Sequence, residues 1–225
     1  FTTSSSRCGA GDYAVPYQAW NNMSVSQGSS KTFGGAKFKQ TKTSGQYKCS
    51  ELYKSKELRY GYLDDGGLTV VVDITDIPYE FYRIVTYHAT DNANLQFGHV
   101  TINGTDYTGV TDATVKGNAK WGASGGSNQA KGLREGVNYL VSDVISGSSV
   151  TITGHRDASK NPTCRGCIAA IQIVEYKPET YTATIDDGGE KTFSALSWDK
   201  TLPALLTAGD KVVVNVNEDA VLEID

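Results

Sequence analysis

One methionine, three histidines and five prolines are all that 225 residues contain of those types, and no run of about 18 apolar residues occurs. The missing run excludes a helical membrane span. No stretch has the charged-then-apolar order of a signal peptide, so Phe1 leading directly into Thr2-Thr3-Ser4 reads as a processed start. Charge of one sign is also lacking. With 25 acidic and 21 basic side chains the net charge is -4, which leaves no basic stripe to release counterions from a phosphate backbone, and nucleic acid is excluded as a partner. The lysines between Lys37 and Lys56 are a local exception. They read as the solvated side of edge strands, with a polyanion-binding patch as the alternative.

Catalytic signatures are scarce as well. His88, His99 and His155 are the only histidines, and none lies in a Gly-x-Ser-x-Gly elbow, a His-Glu-x-x-His helix or a Gly-rich phosphate loop. His88 and His155 each fall at a strand end, where a histidine most simply bonds to its surroundings. The adjacent acids sit in turn-like stretches instead of at the separation that glycoside hydrolysis requires. No catalytic residue is therefore expected.

What the chain has in quantity is glycine (24) and tyrosine (13), together with threonine, serine and valine. Those residues fill strands and tight turns. In Leu68–Ile74 the residues Leu68, Val70, Val72 and Ile74 share one face, and Phe81–Tyr87 carries bulky residues on both sides, as a strand buried on both faces does. His99–Ile102, Asn103-Gly104 and Thr105–Thr108 form a hairpin pattern in which both central residues need positive φ. Further strands are expected at 137–141, 149–153, 168–176, 181–185, 212–216 and 220–224, a turn cluster at 61–67, and one short helical turn at 129–135. Lys177-Pro178 marks a boundary, because proline cannot continue a central strand. The expected fold is an all-β antiparallel sandwich, jelly-roll-like, over residues 1–177 with an irregular N-terminal segment. A short β-rich appendage over 178–225 is expected to open a following repeat or domain.

Cys8, Cys49, Cys164 and Cys167 allow three disulfide pairings. Cys164-Arg165-Gly166-Cys167 leads into a strand pattern, whereas a redox pair opens a helix, so structural disulfides are preferred to redox or zinc chemistry.

The ordered series Gly61-Tyr62-Leu63-Asp64-Asp65, Ile77-Pro78-Tyr79, Tyr87-His88-Ala89-Thr90-Asp91, Val100–Thr105, Trp121-Gly122, Glu135–Asn138 and Arg165–Val174 resembles β-sandwich domains of large secreted and autotransporter-like bacterial surface proteins, which are similar to carbohydrate-binding modules. The resemblance covers roughly residues 60–176. It implies a secreted or cell-surface location and a jelly-roll-like module, and it brings no catalytic residues with it.

A sugar site on such a module needs flat rings against the pyranose C–H face and polar side chains for the hydroxyls. Trp121, in a small-residue stretch that cannot bury its ring locally, is the first candidate, followed by Tyr107, Trp20 and Tyr62. Asn103, Asn118, Asn128 and Arg156 are the candidate polar partners. No cofactor is required. A structural calcium is the ion this reading admits, with Asp64, Asp65 and Asp91 as its ligands, because loop carboxylates and carbonyls suit a hard cation. The expected function is non-catalytic binding of a glycan or cell-surface polysaccharide. The alternative is a structural passenger or filament subunit that self-associates through strand edges.

Overall fold

A computed structural model describes residues 21, 23, 27–43, 45–48, 61–64, 69–88, 96–97, 99–108, 135–136, 139–155, 164–185, 190–217 and 220–223. Within them the strands are β1 (Ser30–Phe33), β2 (Ala36–Lys42), β3 (Gly45–Lys48), β4 (Gly61–Asp64), β5 (Thr69–Thr75), β6 (Phe81–Tyr87), β7 (Gln96–Phe97), β8 (His99–Ile102) and β9 (Thr105–Thr108). They continue with β10 (Tyr139–Val141), β11 (Ile145–Ser146), β12 (Val150–His155), β13 (Cys164–Arg165), β14 (Ala170–Glu175), β15 (Thr180–Ile185), β16 (Glu190–Thr192), β17 (Lys211–Val216) and β18 (Val221–Glu223). One 3-10 turn, Phe193–Ala195, accompanies them, and the described residues contain no α-helix.

Two antiparallel sheets make the sandwich. The first has six strands in the order β1-β2-β5-β12-β8-β9, and in the second β6 is flanked by β14 on one side and by β10 and β11 on the other. The chain crosses between the two sheets from β5 to β6, from β9 to β10 and from β11 to β12, while β8–β9 and β10–β11 each stay within one sheet. Alternation decides which side chains go inside. Val70, Val72 and Ile74 of β5, Val100 and Ile102 of β8, and Val150 and Ile152 of β12 meet Tyr82 and Ile84 of β6, Leu140, Ile145 and Ile168 in one buried cluster. A second cluster, Val85, Tyr87 and Ala170, lies on the other face of β6 and β14, in keeping with bulky residues on both sides of β6.

Two local devices shape the sheets. Asn103 (φ 50°) and Gly104 (φ 85°) make the expected two-residue turn, which sets the β8–β9 register at Ile102↔Thr105 and Thr101↔Asp106. Between β10 and β11 the chain bulges at Ser142, whose hydroxyl accepts the Ile84 N–H at 2.9 Å while its own N–H bonds to the Ile84 carbonyl. A buried polar side chain thereby replaces a missing rung of the ladder.

The turn cluster expected at 61–67 begins instead as a strand. Tyr62 and Leu63 are buried, and Leu63 exchanges both backbone hydrogen bonds with Ile168, so core burial overrides the turn tendency of the glycines and aspartates around them. Residues 65–68 and most of the stretch at 129–135 lie outside the described residues.

Beyond Pro178 the pairing changes character. β15 lies parallel to β17, and β16 parallel to β18, each as a two-stranded sheet, with Ala183 bridged to Trp198. This segment is seated on the end of the sandwich. Asp210 Oδ1 accepts the Tyr176 hydroxyl and the Glu179 N–H, both at 2.8 Å, and its Oδ2 accepts the Thr207 N–H at 3.0 Å. The neighbouring Gly209 (φ 93°) passes so close to Phe81 that a Cβ there would stand 2.8 Å from the ring.

Candidate functional site

The outer face of the six-stranded sheet carries the chemistry that the described residues bring together. Because β2, β5, β12, β8 and β9 run side by side, the residues that alternate away from the core line up across strands: Lys37 opposite Thr75, Lys39 opposite Asp73, Asp73 opposite Thr151, and His155 opposite His99. Polar cross-strand partners on a solvated face are what alternation demands.

One end of this face holds a cleft of about 450 Å³, lined by Lys37, Lys39, Asp73, Asn103, Ser149 and Thr151 with parts of Ile74, Thr75 and Val150. Lys37, Lys39, Asn103 and Thr151 are exposed. The Thr151 hydroxyl donates to Asp73 Oδ1 at 2.7 Å, which ties down the one carboxylate among the described lining residues and leaves two ammonium groups and an amide facing solvent. Among the described residues, no aromatic ring lines it.

At the other end of β12, His155 and His99 stack with ring centroids 4.3 Å apart and 14° between their planes. Asp106, on β9, completes a trio whose ligand-type atoms all lie within 4.8 Å of one another. The Thr101 hydroxyl sits between them, donating to Asp106 Oδ1 at 2.5 Å and standing 2.8 Å from His155 Nε2. A hydroxyl has one proton to give, so with that proton on Asp106 the contact to His155 is an Nε2–H donation. Burial, and then the neighbouring His99, lower the His155 pKa, with Asp106 opposing them.

The sequence-derived candidates that fall among the described residues, Tyr62, Tyr107, Asn103 and Asp64, do not form one surface. Tyr62 is 1% exposed and belongs to the core, so it has no ring face to offer a sugar, which corrects its assignment to a binding surface. Tyr107 alternates inward on β9 and packs against the core. Its hydroxyl accepts the Asp143 N–H at 2.9 Å and donates to Asp143 Oδ2 at 3.2 Å. Asn103 lies at the hairpin tip on the rim of the cleft. Trp121, Trp20, Asn118, Asn128 and Arg156 lie outside the described residues, as do Asp65 and Asp91. Asp64, the remaining calcium candidate, is half-buried; its carbonyl accepts the Thr43 hydroxyl and its Oδ1 the Cys167 thiol at 3.6 Å.

Cys167 also departs from expectation. It is a buried thiol and not half of a disulfide, because its sulfur is turned toward the Asp64 carboxylate while the chain dives into the core at Ile168. The side chains of Cys8, Cys49 and Cys164 lie outside the described residues.

His88 follows β6 directly and is fully buried. Its Nδ1–H donates to the Cys167 carbonyl at 2.9 Å, which requires Nε2 to accept the Thr86 hydroxyl, also at 2.9 Å. It bonds at a strand end, as its position suggests. Burial lowers its pKa to about 4, with the Cys167 bond opposing.

Two features escaped the sequence reading. Asp106 was not singled out, although the Asn103-Gly104 turn fixes it opposite Thr101 and so on the His99 face. The pairing of β12 with β8, which brings in His155, has no local signal.

No protein-family model matches the chain, and neither the curated proteins nor the solved structures contain a match.

Proposed function

We propose that this chain is a non-catalytic binding module acting outside the cell or at its surface, and that its ligand is an acidic polysaccharide. The observation that carries this reading is the cleft. Lys37 and Lys39 project from one strand beside Asn103 and Thr151, a set that offers two cations and neutral hydrogen-bonding groups at one place. A neutral sugar would call for an aromatic platform, and among the described residues that line the cleft there is none. A carboxylated or sulfated chain needs what is there: spaced ammonium groups for its anions, with an amide and hydroxyls for its sugar oxygens.

A second reading has an observation of its own. Leu205, Leu206, Val213, Val216 and Val221 are exposed, all on the segment beyond Pro178. Parallel strands are ordinarily covered on both faces. Aliphatic side chains on a two-stranded parallel sheet favour a structural subunit that joins others through this segment.

One experiment separates the two. Polygalacturonate, hyaluronan and a neutral glucan are immobilised, and retention of the full chain is measured across salt concentrations, with sedimentation velocity run on the same samples. The expected result is salt-dependent retention on an acidic polymer, weakened about tenfold by Lys37→Glu with Lys39→Glu, a loss of roughly 1.4 kcal/mol. Retention that ignores both substitutions, or none on any polymer, removes the glycan reading. Concentration-dependent assembly without retention transfers the conclusion to the structural one.

A further inference from the structure

His99, Asp106 and His155 come from three adjacent strands, β8, β9 and β12, and converge on one side of the sheet. Two opposed imidazoles stand in parallel contact, with a carboxylate beside them, and all three ligand-type atoms fall within 4.8 Å of one another. We propose that this trio binds a divalent transition-metal ion, zinc being the best fit, with solvent completing the coordination.

The chemistry of the donors selects the ion. Two nitrogens and one oxygen suit a borderline cation, whereas calcium and magnesium require shells made largely of oxygen. Bonds of about 2.0–2.2 Å in a tetrahedral shell place neighbouring donor atoms about 3.4 Å apart. The trio must therefore contract by little more than 1 Å, and the stacked rings must tilt so that each points a lone pair at the ion. Rotation about side-chain bonds can provide both, because His99 and His155 are only half-buried and Asp106 is exposed, on the outer face of the sheet.

Thr101 completes the arrangement. In the ion-free form its hydroxyl links Asp106 to His155, holding ligands from the outer two of the three strands within reach of each other. Next to a bound ion it stays hydrogen-bonded to Asp106 and orients that carboxylate, the usual duty of a partner one step outside the coordination shell. Thr101 is a positioning residue. The site shares no lining residue with the lysine cleft and stands without the polysaccharide reading.

The full chain, treated with chelator, is titrated calorimetrically with Zn²⁺ and with Ca²⁺, and its thermal midpoint is followed in parallel. One Zn²⁺ per chain is expected to bind and raise the midpoint by mass action, while Ca²⁺ leaves both unchanged. His99→Asn and His155→Asn each abolish the Zn²⁺ isotherm, and Thr101→Val weakens it about tenfold. Co²⁺ serves as a spectroscopic check on the unsubstituted chain, so the proposal remains testable if a variant fails to fold. Visible absorption of a four- or five-coordinate ion without sulfur-to-metal charge transfer is the expected outcome. Charge-transfer bands, which would assign the ion to cysteine, or Zn²⁺ binding that survives both histidine substitutions, or no Zn²⁺ binding at all, would overturn the proposal.

Discussion

Gly154 and Gly166 meet backbone to backbone in the interior. A Cβ on Gly154 would stand 2.0 Å from the Gly166 carbonyl oxygen, and one on Gly166 would stand 2.4 Å from the Gly154 carbonyl carbon. Gly154 is an inward position of β12, in the middle of the six-stranded sheet. Gly166 lies on the segment that feeds β14 into the opposite sheet. The two layers of the sandwich therefore approach here to a distance that no side chain permits.

Gly154→Ala and Gly166→Ala should each destabilise the protein by about 3 kcal/mol or more, because the obstructing atoms are main chain and cannot rotate away. Gly104→Ala is the control. Its Cβ would meet open space, so only the positive φ is strained, at about 1 kcal/mol. Urea midpoints for the three variants give the ranking, and equal losses would show that the contact is looser than described.

His88 makes stability depend on pH. Its folded pKa is about 4 against an ordinary 6.5, so between those values the unfolded chain binds the proton and the folded chain does not. The stabilisation is complete above pH 6.5 and is lost as pH falls toward 4, on the order of 3 kcal/mol in all. His88→Gln can still donate to the Cys167 carbonyl and accept from Thr86, but it does not titrate. Urea midpoints measured from pH 7 to 4 should fall more steeply for the unsubstituted chain than for the variant. Parallel curves would assign the loss to other groups.

Asp210 responds in a more acidic window. Hydrogen bonds from the Glu179 N–H first, then from the Tyr176 hydroxyl and the Thr207 N–H, hold its pKa below the usual carboxylate value. The carboxylate's contribution is present above that usual value and disappears as pH falls through the lowered one. The segment beyond Pro178 should then loosen from the sandwich. Trp198 fluorescence reports it, and Asp210→Asn should show the loosened signal already at neutral pH. A Trp198 signal that does not change with acid or with this substitution would place the anchoring of the segment elsewhere, at Gly209 against Phe81.

Much of the sandwich was legible because its signals are local. Alternation through Val70, Val72 and Ile74 fixes the inward face of β5, and Asn103-Gly104 fixes a turn type, a register and with it the side of the sheet on which Asp106 stands. Tyr62 misled because its neighbours are turn formers, while its strand is drawn into the core by pairing of the adjacent Leu63 with Ile168, more than a hundred positions away. The histidine pair was hidden for the same reason. His99 and His155 become neighbours only when β12 inserts between β5 and β8, a choice made by the whole hydrophobic face and by no residue near either histidine.

The parallel pairing of β15 with β17 has a consequence in time. The hairpin of β8 and β9 closes over two residues and can form within about 1–10 μs, whereas Thr180 finds Lys211 only after the intervening chain has closed a long loop, with no turn to guide it. The surface that receives Gly209 is Phe81, on the central strand of the smaller sheet. The seat for Gly209 therefore exists only where β6 is in place, and a segment away from that seat leaves the valines of β17 open to any strand that arrives first.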